Sequence, residues 1–145
     1  MPKNCILCKL RNEELEVTKI YEDELISVIM DIQPVNPGHM LIFPKKCEAL
    51  IEDLDDEILS HMMKTAKKMN MALRGSGLPC EGVNLFLADG EAAMQEIPHC
   101  HLHIFPRFKN DGFGLKFSEK YTSLPSRDEL NDDAEKITNS LHRLF

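Results

Sequence analysis

The chain has 145 residues, of which 43% are hydrophobic and 28% are charged, a composition typical of one soluble globular domain. Its formal net charge of −7 at pH 7 argues against a general nucleic-acid surface and a basic membrane-binding face, but allows a local anion site. No apolar run has the length of a signal sequence or a bilayer span, and the five cysteines are an odd number. We therefore expect a cytoplasmic protein, without nucleic-acid or membrane partners, whose cysteines are thiols or metal ligands.

Three short strands are predicted in the first third of the chain. A CxxC sequence at residues 5–8 and a charged turn come first. Strands are predicted at residues 18–22, 25–30 and 39–43, the second of which is a continuous apolar run. Residues 31–38 contain two prolines and a glycine and are therefore predicted to be a loop.

One long helix is predicted in the middle of the chain. Either Asp53 or Asp55 can cap it, and Gly75 and Gly77 end it. Apolar residues at three- and four-residue steps give this helix one stripe, made of Leu54, Ile58, Met62, Ala66, Met69 and Leu73. A fourth strand is expected at residues 82–87.

A second helix is predicted at the C-terminus, where Ser126 and Glu129 have the spacing of a capping box. Its apolar stripe consists of Leu130, Ala134, Ile137, Leu141 and Leu144. Successive strands around one long helix predict a single α+β domain at residues 1–145, with a mainly antiparallel sheet, a long central helix and a C-terminal helix.

Three of the six histidines occupy alternate positions of one short apolar run. Residues 99–105 read His-Cys-His-Leu-His-Ile-Phe, and Pro98 and Pro106 are expected to bound this fifth strand because proline donates no ladder hydrogen bond. Since side chains alternate along a strand, the three imidazoles are predicted to share one face. The opposite face is expected to hold Cys100, Leu102 and Ile104.

The residues alone leave three interpretations of this strand open. The first is a solvated polar face. The second is a catalytic metal site, since alternate histidines on a strand can chelate zinc with a third ligand from elsewhere. The third is nucleophilic catalysis, in which an imidazole with one nitrogen free and the other held by an acceptor attacks phosphorus and forms a nucleotidyl-histidine.

The sequence resembles the histidine-triad (HIT) family, whose signature is three histidines alternating with apolar residues. The resemblance covers about residues 5–117 and extends to segments 21–24, 37–39, 44–46 and 111–114. It implies a HIT-like α+β fold with five strands and a C-terminal helix at about residues 126–145. It also implies a nucleotide hydrolase or nucleotidyl transferase, of phosphoramidate or dinucleoside polyphosphate type, that acts on a nucleoside 5′-phosphoryl group through a covalent nucleotidyl-histidine.

The resemblance implies a role for each matching residue around an AMP- or GMP-like nucleotide. His101 is the expected nucleophile, and His39 and His103 are expected to line the phosphate site. Asp31 is expected to hold the ribose hydroxyls, a role that suits a carboxylate because it accepts two hydrogen bonds.

Further nucleotide contacts are implied for Ile32 and apolar residues near Leu25, at the base, and for Gln95, at the phosphate oxygens. Two positions depart from the family pattern. Ala88 replaces a polar residue, and Glu96 replaces a small hydroxyl residue. The carboxylate of Glu96 is expected to repel a second phosphate or to favour a cationic or amine leaving group.

A structural zinc ion and a homodimer are also implied by the resemblance, and no organic cofactor is expected. The implied zinc ligands are Cys5, Cys8, Cys47 and His99. Cys47 stands where many relatives have histidine, and thiolate is an equally good ligand for tetrahedral zinc. Cys80 and Cys100 remain as small apolar residues.

Two alternatives from other functional classes stay open. A nucleotide-binding regulatory module would keep the pocket with little or no turnover. A metal-dependent hydrolase would use His101 and His103 as ligands of a catalytic metal.

Overall fold

The computed structural model describes residues 4–145. The chain forms two compact units, one ending at Phe113 and the other spanning Gly114–Phe145. No helix within the described residues combines the length and apolarity needed to cross a membrane. The elements of the first unit, in chain order, are α1 (Ile6–Arg11), β1 (Lys19–Glu22), β2 (Ile26–Met30), β3 (Met40–Pro44), α2 (Asp56–Gly75), β4 (Gly82–Leu87) and β5 (Leu102–Arg107).

The five strands form one sheet in the order β1-β2-β3-β5-β4, and every neighbouring pair is antiparallel. β3 and β5 are paired through Met40 with Ile104 and Leu41 with His103. The predicted α+β class, with a five-stranded antiparallel sheet and one long helix, is therefore confirmed.

Helix α2 packs against one face of the sheet. All six residues of the predicted stripe are buried there, against alternate strand residues such as Val28, Ile42 and Ile104. Truncating one of these side chains to alanine typically costs about 2–5 kcal/mol, since it removes buried apolar area and leaves a cavity. The helix begins after Asp55, whose side chain makes no capping hydrogen bond, and ends at Gly75.

The opposite face of the sheet carries the intervening strand residues, among them Ile29, Leu41 and Phe43. The short helix α1 covers part of this face through the fully buried Leu7. The sequence predicted only a CxxC and a charged turn here, because six residues are too few for a helical period to stand out.

The histidine strand is shorter at its start, and longer at its end, than predicted. Its ladder begins at Leu102 rather than His99, and Pro106 lies inside the strand instead of ending it. The carbonyl of Pro106 accepts from Asn36 Nδ2. This is the side of β3, but β3 begins only at Met40, opposite Ile104, and does not reach Pro106. The missing N–H of the proline therefore faces the same side and interrupts no strand pair. The predicted division of faces holds, because Cys100, Leu102 and Ile104 all lie in the core against α2.

Asp23 orders the turn between β1 and β2, within the segment 21–24 noted in the sequence. Its Oδ1 accepts from the backbone N–H groups of Leu25 and Ile26, and its Oδ2 lies 2.6 Å from Nε2 of His61 on α2. Burial alone would raise the pKa of Asp23, but these hydrogen bonds together lower it well below the ordinary value. The contact between Asp23 and His61 thereby links the turn to the central helix.

The second unit contains helix α3 (Arg127–Leu144). The predicted capping box is present: Ser126 Oγ accepts from the Glu129 N–H, and Glu129 Oε2 accepts from the Ser126 N–H. None of the helix residues, all of which the structure describes, is buried, so the apolar stripe from Leu130 to Leu144 stays exposed.

Candidate functional site

His101 is buried, with 5% of its surface exposed, yet it lines a cavity. Its Nδ1 lies 2.7 Å from the carbonyl oxygen of His99. A carbonyl can only accept, so Nδ1 carries the proton and Nε2 keeps a lone pair. Within residues 4–145, Nε2 makes no hydrogen bond. The ring is thus held by one nitrogen, and its other nitrogen is unprotonated.

His39 and His103 form a directed hydrogen-bond chain beside His101. The backbone N–H of Val35 donates to His39 Nδ1 at 3.0 Å, so the neutral ring of His39 carries its proton on Nε2. That nitrogen lies 2.9 Å from His103 Nδ1 and donates to it. The proton of neutral His103 is therefore on Nε2, an N–H donor that makes no hydrogen bond within residues 4–145.

Both rings of this chain are neutral near pH 7. Burial lowers the pKa of His103 to about 4, and the neighbouring His101 and His39 add to the shift. Burial also lowers the pKa of His39, although the carboxylate of Asp31 opposes the shift. The two rings therefore act as hydrogen-bonding groups and not as cations.

Asp31 directly follows β2, and one of its carboxylate oxygens accepts a hydrogen bond from the loop that comes next. Its Oδ1 accepts from the Gln33 N–H at 2.8 Å. Its Oδ2 lies 3.5 Å from His39 Nε2 and 3.8 Å from His103 Nδ1. These three ligand atoms form a group that could hold a metal ion, but His101 is not part of any such group among the described residues.

The cavity beside these histidines has a volume of about 550 Å³, a size that suits a small-molecule ligand. Most of its lining is apolar and comes from α1, β2 and the loops around them. Ile32 lines it with 96% of its surface exposed. The lining includes the carboxylates of Glu16, Asp31 and Glu96, but no lysine or arginine within residues 4–145.

The structure brings some of the predicted nucleotide contacts together and leaves two apart. Ile32 and Asp31 share the cavity with His39, His101 and His103. Gln95 does not line it: its amide accepts from the Gly90 N–H and donates to the Ala49 carbonyl. Leu25 lies just before β2 and packs against the core on the α2 side.

Cys5, Cys8, Cys47 and His99 form a second site, whose ligand atoms all lie within 4.8 Å of one another. His99 is fully buried, and its Nε2 donates to the Pro44 carbonyl at 2.8 Å. Its Nδ1 is therefore unprotonated and lies 3.2 Å from Cys5 Sγ and 3.7 Å from Cys8 Sγ. Burial and the adjacent thiols raise the pKa of Cys47 to about 12. Three sulfurs and one imidazole nitrogen are a donor set that fits tetrahedral zinc.

Val35 and Asn36 contribute to the site but carried no signal that the sequence analysis used. Val35 acts through its backbone alone. Asn36 is buried and donates to the Pro106 carbonyl and to Asp111, which fixes the loop that carries His39. Gly38 has φ +101°, and a Cβ there would meet Leu73 Cδ1 at 2.9 Å, so the loop requires glycine at this position. Only a buried asparagine next to a Pro-Gly turn could have suggested this arrangement.

Comparison with known proteins relates the chain to one family over most of its length. The HIT domain model matches residues 12–110. An uncharacterized HIT-like protein of Borreliella burgdorferi is 42% identical over 118 residues, which cover 81% of this chain and 85% of that protein. The crystal structure of a HIT family protein from Bacillus anthracis has 35% identity and a TM-score of 0.85, covering 97% of this chain and 99% of that one.

Three further relatives have informative names. An adenosine 5′-monophosphoramidase of Schizosaccharomyces pombe is 30% identical and covers 95% of this chain and 98% of its own length. An adenylylsulfatase of Arabidopsis thaliana is 29% identical and covers 99% of this chain and 70% of its own length. A zinc-bound histidine triad family protein from Mycobacterium smegmatis has 32% identity and a TM-score of 0.73, covering 87% of this chain and 86% of that structure.

Proposed function

The chain belongs to the HIT family, and from this premise we propose that it hydrolyses or transfers a nucleoside 5′-phosphoryl group through a nucleotidyl-His101 intermediate. The observation that carries the proposal is the fixed tautomer of His101, because the His99 carbonyl accepts from Nδ1–H and leaves Nε2 unprotonated in a ring that lines the cavity. The phosphoramidase and the adenylylsulfatase among the relatives support the reaction class, since both names describe cleavage at an adenosine 5′-phosphoryl group.

In the proposed first step, His101 Nε2 attacks phosphorus and the bond to the leaving group breaks. The free Nε2–H of His103 donates to a phosphoryl oxygen, where negative charge develops. Because His39 holds the other nitrogen of His103, this donor is already oriented before the substrate arrives. Water then attacks the intermediate, releases the nucleoside monophosphate and restores His101.

Asp31 and Ile32 are proposed to bind the nucleoside. Asp31 Oδ2 has no donor as close as the Gln33 N–H that holds Oδ1, so it is available to accept from ribose hydroxyls. Ile32 supplies an exposed apolar surface at the same cavity, on which a base can pack. The nucleotide would thus lie along the end of β2 with its phosphate at His101.

We also propose that Cys5, Cys8, Cys47 and His99 hold a structural zinc ion, as the donor set and the zinc-bound relative suggest. Bound zinc would supply a rigid cross-link between α1, the segment after β3 and the start of the histidine strand. His99 would then contribute its side chain to the metal and its carbonyl to His101.

A homodimer is proposed as well. β4 is an edge strand of the sheet formed by the described residues, and Leu85 on it is 44% exposed, so a second copy could extend the sheet there. Light scattering should give a mass of two chains, and a monomer at all concentrations would contradict this proposal.

Turnover of a fluorogenic adenosine 5′-phosphoramidate, with and without a chelator, tests the proposed reaction. Covalent histidine catalysis predicts hydrolysis that survives brief EDTA treatment. Rapid and reversible loss of activity with EDTA would favour the metal-dependent hydrolase, with Asp31, His39 and His103 as ligands. Binding of AMP without turnover of any substrate would favour the regulatory module.

A further inference from the structure

Asp111 begins the segment 111–114, to which the proposed reaction assigns no role. Its side chain is only 2% exposed, yet both of its carboxylate oxygens accept hydrogen bonds. Oδ1 accepts from Arg107 Nη2 at 3.0 Å and from the Phe113 N–H at 3.2 Å. Oδ2 accepts from Arg107 Nε at 2.6 Å and from Asn36 Nδ2 at 2.9 Å. These donors, the guanidinium above all, lower the pKa of Asp111 well below its ordinary value, so the buried group is a carboxylate.

Asn36 connects this carboxylate to the loop that carries His39. Its Nδ2 donates to Asp111 and to the Pro106 carbonyl, and because both partners can only accept, the amide has a single orientation. The backbone carbonyl of Asn36 accepts from the His39 N–H at 3.1 Å. The preceding residue, Val35, gives its N–H to Nδ1 of the His39 ring. The position of Asn36 therefore affects both the backbone and the ring of His39.

A second path, made of aromatic rings, connects Arg107 to His39. The guanidinium lies 4.7 Å from the centroid of the Phe113 ring, and Arg107 Nη2 donates to the Phe113 carbonyl at 2.7 Å. Phe113 packs edge-on against the buried Phe105, with ring centroids 5.3 Å apart. The centroid of Phe105 is in turn 4.9 Å from that of His39, a separation at which such rings attract. Arg107 and Asp111 therefore support His39 from its loop and from one side of its ring.

We propose that Asp111, together with Arg107, is a positioning residue that sets the orientation of His39 and, through it, of the His103 donor. Nε2 of His39 donates to Nδ1 of His103, and this hydrogen bond keeps the proton of His103 on its own Nε2. A shift of the His39 ring would weaken that hydrogen bond and release the ring of His103. The role rests on the proposed function, in which His103 Nε2–H donates to the phosphoryl oxygen.

The kinetic effect of this role is expected in kcat. Negative charge on the phosphoryl oxygens grows in the transition state, so a misplaced donor weakens binding of the transition state more than binding of the substrate. A small displacement of a reacting group, caused by a change outside the site, can lower a rate about 10²-fold. Neither Asp111 nor Arg107 lines the cavity, so the surface proposed to bind the nucleoside stays the same when either is replaced.

Asp111→Asn tests the role, and Asp23→Asn is its matched control. An amide can accept at one position only, so it cannot accept from both Arg107 and Asn36 as the carboxylate does. With an adenosine 5′-phosphoramidate, kcat should fall about 10- to 100-fold, while KM should change less than about 3-fold. Asp23 also accepts from two backbone N–H groups but does not line the cavity, so Asp23→Asn should lower Tm and leave kcat unchanged.

Two further readouts separate positioning from a loss of stability. NMR of the imidazole nitrogens should show His39 protonated on Nε2 alone in the wild type and in Asp23→Asn, and a mixture of tautomers in Asp111→Asn. In the His39→Gln background, adding Asp111→Asn should lower kcat less than about 2-fold, because a residue that acts through His39 then has no ring to position. If Asp111→Asn does not fold, Arg107→Lys takes its place, since lysine keeps the charge and loses the planar fork; its kcat should be about 10-fold below wild type.

The positioning role and the proposed function fail in different ways. An unchanged kcat, or a single tautomer of His39, in the folded Asp111→Asn or its replacement Arg107→Lys would overturn the role and leave the function standing. An equal loss of kcat in Asp23→Asn would overturn it too, as would an undiminished effect of Asp111→Asn in the His39→Gln background. If the wild type turns over no phosphoramidate, the proposed function fails. The tautomer of His39 then decides the role by itself: a mixture in Asp111→Asn supports it, and a single tautomer overturns it.

Discussion

His99 and His101 are two residues apart and lie on the same side of the sheet, yet they present opposite nitrogens to opposite kinds of site. His99 donates from Nε2 to the Pro44 carbonyl and turns an unprotonated Nδ1 toward two thiols. His101 donates from Nδ1 to the His99 carbonyl, so its Nε2 is unprotonated, and its ring lines an open cavity. In both rings a backbone carbonyl decides which nitrogen is available.

The difference shows how one short segment can serve structure and chemistry together. The thiol site is closed and its ligand atoms are already converged, as in structural metal centres. The cavity is open, and Nε2 of His101 makes no hydrogen bond within the described residues. Because the His99 carbonyl is the acceptor for His101, the closed site positions the ring of the open one. Changes in the two sites should therefore have separable effects.

The largest difference between the effects on the cavity and on the thiol site is expected from His101→Ala. Removing the nucleophile should lower kcat/KM for an adenosine phosphoramidate by about 10⁴-fold or more, with zinc content and Tm close to wild type. Steady-state kinetics, metal analysis and thermal unfolding measure the three quantities. An active variant would remove His101 from the nucleophilic role.

The converse effect is expected from Cys8→Ser. We expect about one zinc per wild-type chain after dialysis, its loss in the variant, and a decrease of about 3–5 kcal/mol in the free energy of unfolding. Cys80→Ser is the matched control, because Cys80 is a half-buried cysteine outside the cluster. A metal-free wild type with the same Tm as a zinc-loaded sample would contradict the proposed zinc site.

A smaller effect within the open site is expected from Asp31→Asn. The amide keeps an oxygen for the Gln33 N–H but accepts ribose hydroxyls less well, so the Kd for AMP should rise about 10-fold. The covalent adduct should still be detectable, since His101 is untouched. Calorimetric titration measures the affinity, and an unchanged Kd would remove Asp31 from the ribose site.

The smallest expected effect is on the pH dependence of stability. The pKa of His103 is lowered to about 4 by burial and by its histidine neighbours, against 6.5 in an unperturbed chain. Between these values the unfolded chain binds a proton that the folded chain does not, so stability falls as the pH decreases. Urea midpoints at about pH 7 and about pH 5 should differ less for His103→Gln than for the wild type. An equal or larger difference in the variant would contradict a neutral, buried His103.

Periodicity and motif spacing were sufficient to predict the scaffold of this protein. The stripe of α2 and the two faces of the histidine strand follow from side-chain periods of 3.6 and 2, which burial enforces directly. The grouping of Cys5, Cys8, Cys47 and His99 matches the set implied by the family resemblance. The roles of these residues and of the cavity residues remain predictions.

What the sequence did not predict depends on contacts between distant backbone groups. Pro106 sits inside β5 only because β3 stops short of it, which no property of residue 106 reveals. The proton positions in His39 and His103 depend on the Val35 N–H, a group that every residue except proline has. Gln95 turns to the backbone of Gly90 and Ala49, although its position next to the triad suggested a phosphate contact.

Intact mass spectrometry after rapid quench tests the central claim most directly. Wild type and His101→Ala are mixed with an adenosine phosphoramidate and stopped in acid-free denaturant within one turnover, since phosphohistidine-type bonds break in acid. The proposed mechanism predicts a mass increase of one adenylyl group on the wild type and none on the variant. Turnover by the wild type with no adduct at any quench time, or an adduct of equal yield on His101→Ala, would contradict covalent catalysis by His101.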